Sequence, residues 1–166
     1  VTATRVDQAV DSLGYSVNIV DSSDIENRAL RTIPEAVRYQ SGVLVQKTTH
    51  GHGSPYIRGF TGRQNLLLVD GVRINNSTYR SGPIQYWNTL DADAVERLEL
   101  VKGPGSVLYG SDALGGTLNA LSKSTGYLEN EGSYSNGSLS YRFDTNSESH
   151  VGRLEQRIGE GGKWGA

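Results

Sequence analysis

Between Val95 and Ser122 the chain must run out, bend through glycine-rich backbone and return, which constrains the fold more than any other stretch. Leu98 and Leu100 alternate with Arg97 and Glu99, the two-residue period of a half-buried strand. Gly103-Pro104-Gly105 stops that strand, because Pro104 has no backbone donor and both glycines accept dihedrals closed to other residues. A short Ser106–Tyr109 turn ends at Gly110, and Gly115-Gly116 precedes a second extended run, Thr117 to Ser122. Backbone bent this tightly belongs in a crowded place.

Glycine loops also cradle phosphates, so that chemistry has to be tested. Gly103-Pro104-Gly105 opens a dinucleotide-like pattern, but Leu108 stands where its last glycine should be. Gly105 and Gly110 have the Walker spacing, yet Ser111-Asp112 replaces the Lys-Ser/Thr that holds phosphate and magnesium. Neither Ser106 nor Ser111 sits in a Gly-x-Ser-x-Gly elbow. No acid–base or nucleophile set survives, and no catalytic activity is expected. A net charge of −2 gives no reason to expect a nucleic-acid partner. The chain has no cysteine for disulfides or thiolate metal sites, and no apolar run near the ~20 residues of a spanning helix. It lacks an initiating methionine and a signal peptide, as a processed or trimmed chain would.

Residues 1–14 read as a polar extended lead, and Tyr15 to Val20 alternates as a strand. Ser23-x-x-Glu26 and Thr32-x-x-Glu35 have capping-box spacing. In the second, Thr32 caps, Pro34 fits the first turn, the helix runs through Gln40 and Gly42 stops it. Strands are expected at 43–47, at Tyr56-Ile57 and at 65–69, the last entering a tight Asp70-Gly71 turn. Residues 75–88 form a long polar and aromatic loop, and Asp91 caps a single helical turn. Short strands mixed with short helices imply an α+β domain over 15–123.

Beyond Lys123 the pattern changes. Leu139, Tyr141 and Phe143 share one face of a two-residue period, while Leu154 and Ile158 alternate against Arg153, Glu155 and Arg157. Gly159 to Lys163 turns the chain again before Trp164. Amphipathic strands with terminal aromatics suit a transmembrane barrel. A water-facing hairpin with one packed side has the same pattern.

Three blocks in order give this a family context. Val95 to Asn119 resembles the "VERIEVxRGPxSxLYGxxAxGGxIN" region of the plug domain of TonB-dependent outer-membrane receptors. Pro55-Tyr56-Ile57-Arg58-Gly59-Phe60 with Asn65 to Ile74 is similar to the family's "IRGF…VLVLxDGVRxN". Val1 to Arg5 is similar to the end of a TonB box. The resemblance implies a small mixed sheet with short helices over 15–123, followed over 124–166 by the first antiparallel strands of a truncated barrel. An open barrel edge cannot stand in lipid, so if the chain ends at Ala166 those last strands are expected to be displaced, exposed or borrowed by a neighbour.

The same resemblance assigns residues. Val1, Thr2 and Ala3 would pair with the periplasmic domain of TonB by β-augmentation, through main-chain atoms. Arg58 and Lys102, with Glu99, occupy positions that lock a plug to its barrel wall. Lys102 stands where the family has arginine, and it lacks the bidentate fork. Glu96 and Glu99 can instead neutralise either base within the plug. The loops at 49–56 and 75–88 correspond to the apices facing the ligand, bringing His50, His52, Tyr79, Arg80, Gln85, Tyr86 and Trp87 to a nutrient, and Arg80 with the distant Arg63 would serve an anionic metal chelate. No metal site or cofactor is expected of the chain itself, because His50 and His52 have no third ligand nearby. The implied function is gating of energy-coupled nutrient uptake (ferric siderophore, haem or cobalamin) at the outer membrane, with a periplasmic N-terminus. A soluble periplasmic module with a plug-like fold and no barrel is the alternative.

Overall fold

A computed structural model describes residues 14–49, 51–75, 82–83, 86–126 and 132–166. The chain divides into two compact units between Lys123 and Ser124.

The first unit is built on a five-stranded sheet in the order β1-β6-β7-β4-β5. Its strands are β1 (Ser16–Asp21), β4 (Asn65–Val69), β5 (Val72–Arg73), β6 (Val95–Lys102) and β7 (Gly116–Ser122). β6 pairs antiparallel with β1 and β7, whereas β7 and β4 run parallel. Registers Val20↔Leu98↔Ala120 and Leu100↔Leu118↔Leu67 line one face with apolar side chains. On that face pack α1 (Ser22–Asn27) and α2 (Ile33–Val37), which contribute Ile25, Ile33, Ala36 and Val37. Leu66, Leu68, Tyr109 and Ala113 form a smaller cluster. Tyr109 closes α3 (Ser106–Tyr109), the single turn between β6 and β7.

Most of these elements lie where the sequence places them, with two corrections at the helices. The first capping box does not form: α1 starts at Ser22 with Asp21 as its N-cap, and no side chain caps it. β1 runs directly into that helix, leaving no turn in which Ser23 could sit outside it. The second box holds in part. Thr32 Oγ1 accepts from Glu35 N–H at 3.4 Å, while Glu35 Oε2 reaches back to Arg31 N–H at 2.9 Å. Its helix ends at Val37 rather than Gln40, and Gly42 turns the chain with φ 75°. Asp91 does cap a 3₁₀ turn at Ala92–Ala94, accepting from Asp93 N–H at 3.1 Å.

Two tight turns share one geometry. Asp70-Gly71 joins β4 to β5 with φ 49° and 80°, and Arg58-Gly59 joins Ile57 to Phe60 with φ 51° and 83°. Positive φ at both central residues is what a type I′ hairpin turn demands. A separate hairpin of β2 (Val43–Thr49) and β3 (His52–Ile57) leads into the second turn.

The second unit is a three-stranded antiparallel sheet of β8 (Ser133–Asp144), β9 (Ser149–Glu160) and β10 (Trp164–Gly165). Leu139 faces Leu154 across β8 and β9, and Ser138 faces Glu155 on the other side. The first pair is 81% and 79% exposed. Among the described residues no helix is long and apolar enough to cross a membrane, which says nothing of crossing by strands.

Candidate functional site

Two cationic side chains converge where β3 and β6 end. Arg58 is exposed, held on its turn by an N–H bond to Gly42 O at 2.9 Å. Its guanidinium passes over Gly103, where a Cβ would lie 3.0 Å from Nη1. Lys102, the residue before Gly103, is buried and donates from Nζ to Ser41 O at 3.2 Å and Ser41 Oγ at 3.0 Å. Ser41-Gly42 is thus braced by Lys102 and capped by the Arg58 turn. Left-handed φ at a non-glycine residue costs roughly 1–2 kcal/mol, and the return is a guanidinium projected outward with no acceptor among the described residues.

Glu99 does not join this corner. It lies on the opposite face of β6 from Lys102, is fully buried, and accepts from Arg97 Nε at 3.0 Å. The grouping of Glu99 with Arg58 and Lys102 is therefore corrected, since side chains three apart on a strand point to opposite faces. Neither base is neutralised by Glu99, which pairs with Arg97. Of the three, Arg58 alone offers its charge to another surface.

Behind the corner the glycines allow strands and loops to touch. A Cβ on Gly115 would fall against Asn65 Oδ1, 2.5 Å from Phe60 Cβ and 2.7 Å from Ile57 O. A Cβ on Gly116 would lie 2.7 Å from Val101 O. Packing, not phosphate binding, accounts for the paired glycines of the opening motif.

A second cluster was not assigned by the sequence beyond its turn. Arg73 donates from Nη2 to Tyr109 O at 2.6 Å and Ser111 O at 2.9 Å, and from Nη1 to Asp112 Oδ2 at 3.1 Å. Asp70 accepts from Ser122 N–H at 2.8 Å and Ser122 Oγ at 2.9 Å. The Asp70 to Arg73 hairpin therefore ties the end of β7 to the turn after α3. The signal was present as an Asp-Gly turn followed by a charged residue, but its partners lie 36 to 52 positions away.

At the expected ligand-facing loops, His52 and Arg63 are exposed and Tyr86 is 40% exposed. Trp87 is corrected: it is 1% exposed and belongs to the main core with Ile33, Val37 and Ala92. In the 3₁₀ turn Tyr86–Thr89 successive side chains diverge, and the larger apolar ring takes the interior. Val1, Thr2, Ala3, His50, Tyr79, Arg80 and Gln85 lie outside the described residues. Among those described, no group of three or more His, Cys, Asp or Glu side chains could hold a metal ion.

Residues 9–117 match the family profile described as TonB-dependent Receptor Plug Domain. A vitamin B12 transporter BtuB of Vibrio vulnificus is 37% identical over 127 residues, covering 75% of this chain and 20% of the relative. An iron-regulated outer membrane virulence protein of Vibrio cholerae is 34% identical over 128 residues, covering 74% and 19%. Among solved structures, a mutant ferric enterobactin receptor PfeA of Pseudomonas aeruginosa in complex with enterobactin superposes with TM-score 0.61 at 26% identity, over 86% of this chain and 22% of that one. The ferric yersiniabactin uptake receptor FyuA of Yersinia pestis superposes with TM-score 0.64 at 19% identity, over 94% and 23%, a likeness of fold. The chain thus spans about a fifth of the length of the curated relatives it matches.

Proposed function

The chain belongs to the TonB-dependent receptor plug domain family, and on that premise we propose that it is the gating plug and first wall strands of an outer-membrane receptor for energy-coupled nutrient uptake. Family membership is that of a receptor and transporter, not of an enzyme. The observation that carries the reading is the alignment with the B12 transporter at 37% identity, which spans most of this chain. The nutrient is a cobalamin or a ferric siderophore, the two chemistries named among its relatives. His52, Arg63 and Tyr86 offer it donors and an aromatic face.

The geometry of the Arg58 corner supports a gating reading. Arg58, which has no acceptor among the described residues, pairs with a carboxylate of the wall and holds the plug. Lys102 keeps that turn in place through Ser41 and is a brace, not a second lock. Ligand at the apices favours one plug state, the N-terminal segment is released to TonB, and inner-membrane energy loosens the plug. Such coupling requires the ligand to bind the two states unequally. The apolar stripe of β8 and β9, exposed at Leu139, Tyr141 and Leu154, favours a lipid-facing wall over the soluble-module alternative.

The test is complementation of a host lacking its own uptake receptors. Growth on limiting cyanocobalamin or ferric enterobactin, restored by the intact gene and abolished without TonB, is the expected outcome. Fractionation of the intact protein with the soluble periplasm, and no growth on either nutrient, would sink the reading.

A further inference from the structure

One side chain, Asn88, bridges the two segments assigned to the ligand. Asn88 donates from Nδ2 to Gly53 O at 3.1 Å and accepts from Gly53 N–H at 3.3 Å. Both main-chain groups of Gly53 are thereby paired with one amide, as another strand would pair them. Gly53 sits opposite Lys47 in the β2–β3 register, and its N–H and C=O point away from β2, to the edge that Asn88 covers.

Other contacts keep this rung from slipping. A Cβ on Gly53 would lie 3.0 Å from Pro34 Cβ and 3.2 Å from Val45 Cγ1, so β3 presses on α2 here. Buried Trp87 fixes the turn that carries Asn88, and Thr89 Oγ1 closes that turn on Tyr86 O at 2.6 Å. Nearby, a Cβ on Gly62 would run into Gly82 O, and Thr61 Oγ1 reaches Ser54 Oγ and Pro55 O at 3.4 Å each. The start of β3 at 52–55 and the segments at 61–62, 82 and 86–88 are therefore held against one another. From Gly53, β3 runs about 17 Å in extended backbone to the Arg58 turn.

We propose that Asn88 is the positioning residue that couples the ligand-facing loops to the Arg58 corner, with β3 as the rigid link. His52 lies one residue before the rung and Tyr86 two residues before Asn88, so a ligand touching both bears on the rung directly. Displacing it shifts β3 along its length and disturbs the Arg58 N–H bond to Gly42 O, which seats the exposed guanidinium. The inference rests on the proposed ligand-facing role of these loops.

Hydrogen exchange followed residue by residue on the full chain in detergent micelles tests it without any ligand. Failure of the nutrient assay and failure of this coupling are thus separate results. In Asn88→Ala the amides of Gly53 and Arg58 should exchange about tenfold faster, the scale of losing one or two hydrogen bonds. The amides of Leu100 and Leu118 should not change. Asn88→Asp keeps an acceptor for Gly53 N–H and should fall between the two at Arg58. Acceleration confined to Gly53 overturns the coupling, and so does equal acceleration at Leu100 and Leu118, which would mean global loosening.

Discussion

Residues 14–123 gather a buried apolar core, although Val107 and Leu44 stay exposed, whereas 132–166 bury none of their described large apolar side chains. Leu98, Leu100 and Leu118 are fully buried, but Leu139, Leu154 and Tyr141 are 81%, 79% and 67% exposed. In the second unit the polar face is the better covered one: the Glu155 side chain is 18% exposed, between Arg153 Nε at 3.7 Å and Arg157 Nη2 at 3.3 Å. One unit is organised around its own core. The other is organised inside out, as a barrel wall facing lipid must be. The same residue types, alternating at the same period, are thus buried in one unit and exposed in the other.

Truncating a leucine in each unit should break or sharpen that contrast most. Leu98→Ala is expected to cost about 2–5 kcal/mol in thermal or denaturant unfolding, by lost transfer energy and a cavity. Leu139→Ala, in the same aqueous or detergent conditions, should change stability by under about 0.5 kcal/mol. Equal losses would show that the second unit has a core of its own.

Glycine substitutions come next. Gly115→Ala places a Cβ 2.7 Å from Ile57 O and 2.5 Å from Phe60 Cβ, and overpacking of that kind costs typically 1–3 kcal/mol. Gly152→Ala, in β9 with nothing within 4 Å of the new Cβ, should be neutral or slightly stabilising. Gly159, paired with the equally crowded Gly165, differs from Gly152, because Tyr134 Oη and Trp164 O would each lie 2.5 Å from its Cβ. Gly159→Ala should therefore resemble Gly115→Ala, and a neutral result would remove the one crowded row of that sheet.

These residues also show what could be read from the sequence. The strand, turn and return of 95–122, the Asp70-Gly71 turn and the alternating stripe of 139–143 follow from periods and turn chemistry, which are local. Family resemblance added the Arg58 position. What was not legible depends on contacts across the chain. Trp87 looked like a loop aromatic because nothing near it announces that Ile33 and Val37 await it. Glu99 was grouped with Lys102 although strand alternation alone separates their faces. Asn88, 35 residues from Gly53, had no local signature at all.

The smallest effect concerns charge and again divides the units. Burial raises the pKa of Glu35, but the Lys47 ammonium bonded to it, the Arg31 N–H and the charges of both bases together outweigh that, so it is lowered from 4.5. A carboxyl whose folded pKa is depressed stabilises the fold fully above its unfolded pKa. That contribution disappears as pH falls from about 4.5 through the lowered folded value. Glu35→Gln should then melt below the parent at pH 7 and converge with it on acidification, by under about 1 kcal/mol as befits a partly exposed pair. A difference that persists unchanged at low pH would assign the Glu35 contribution to packing of α2 on β2.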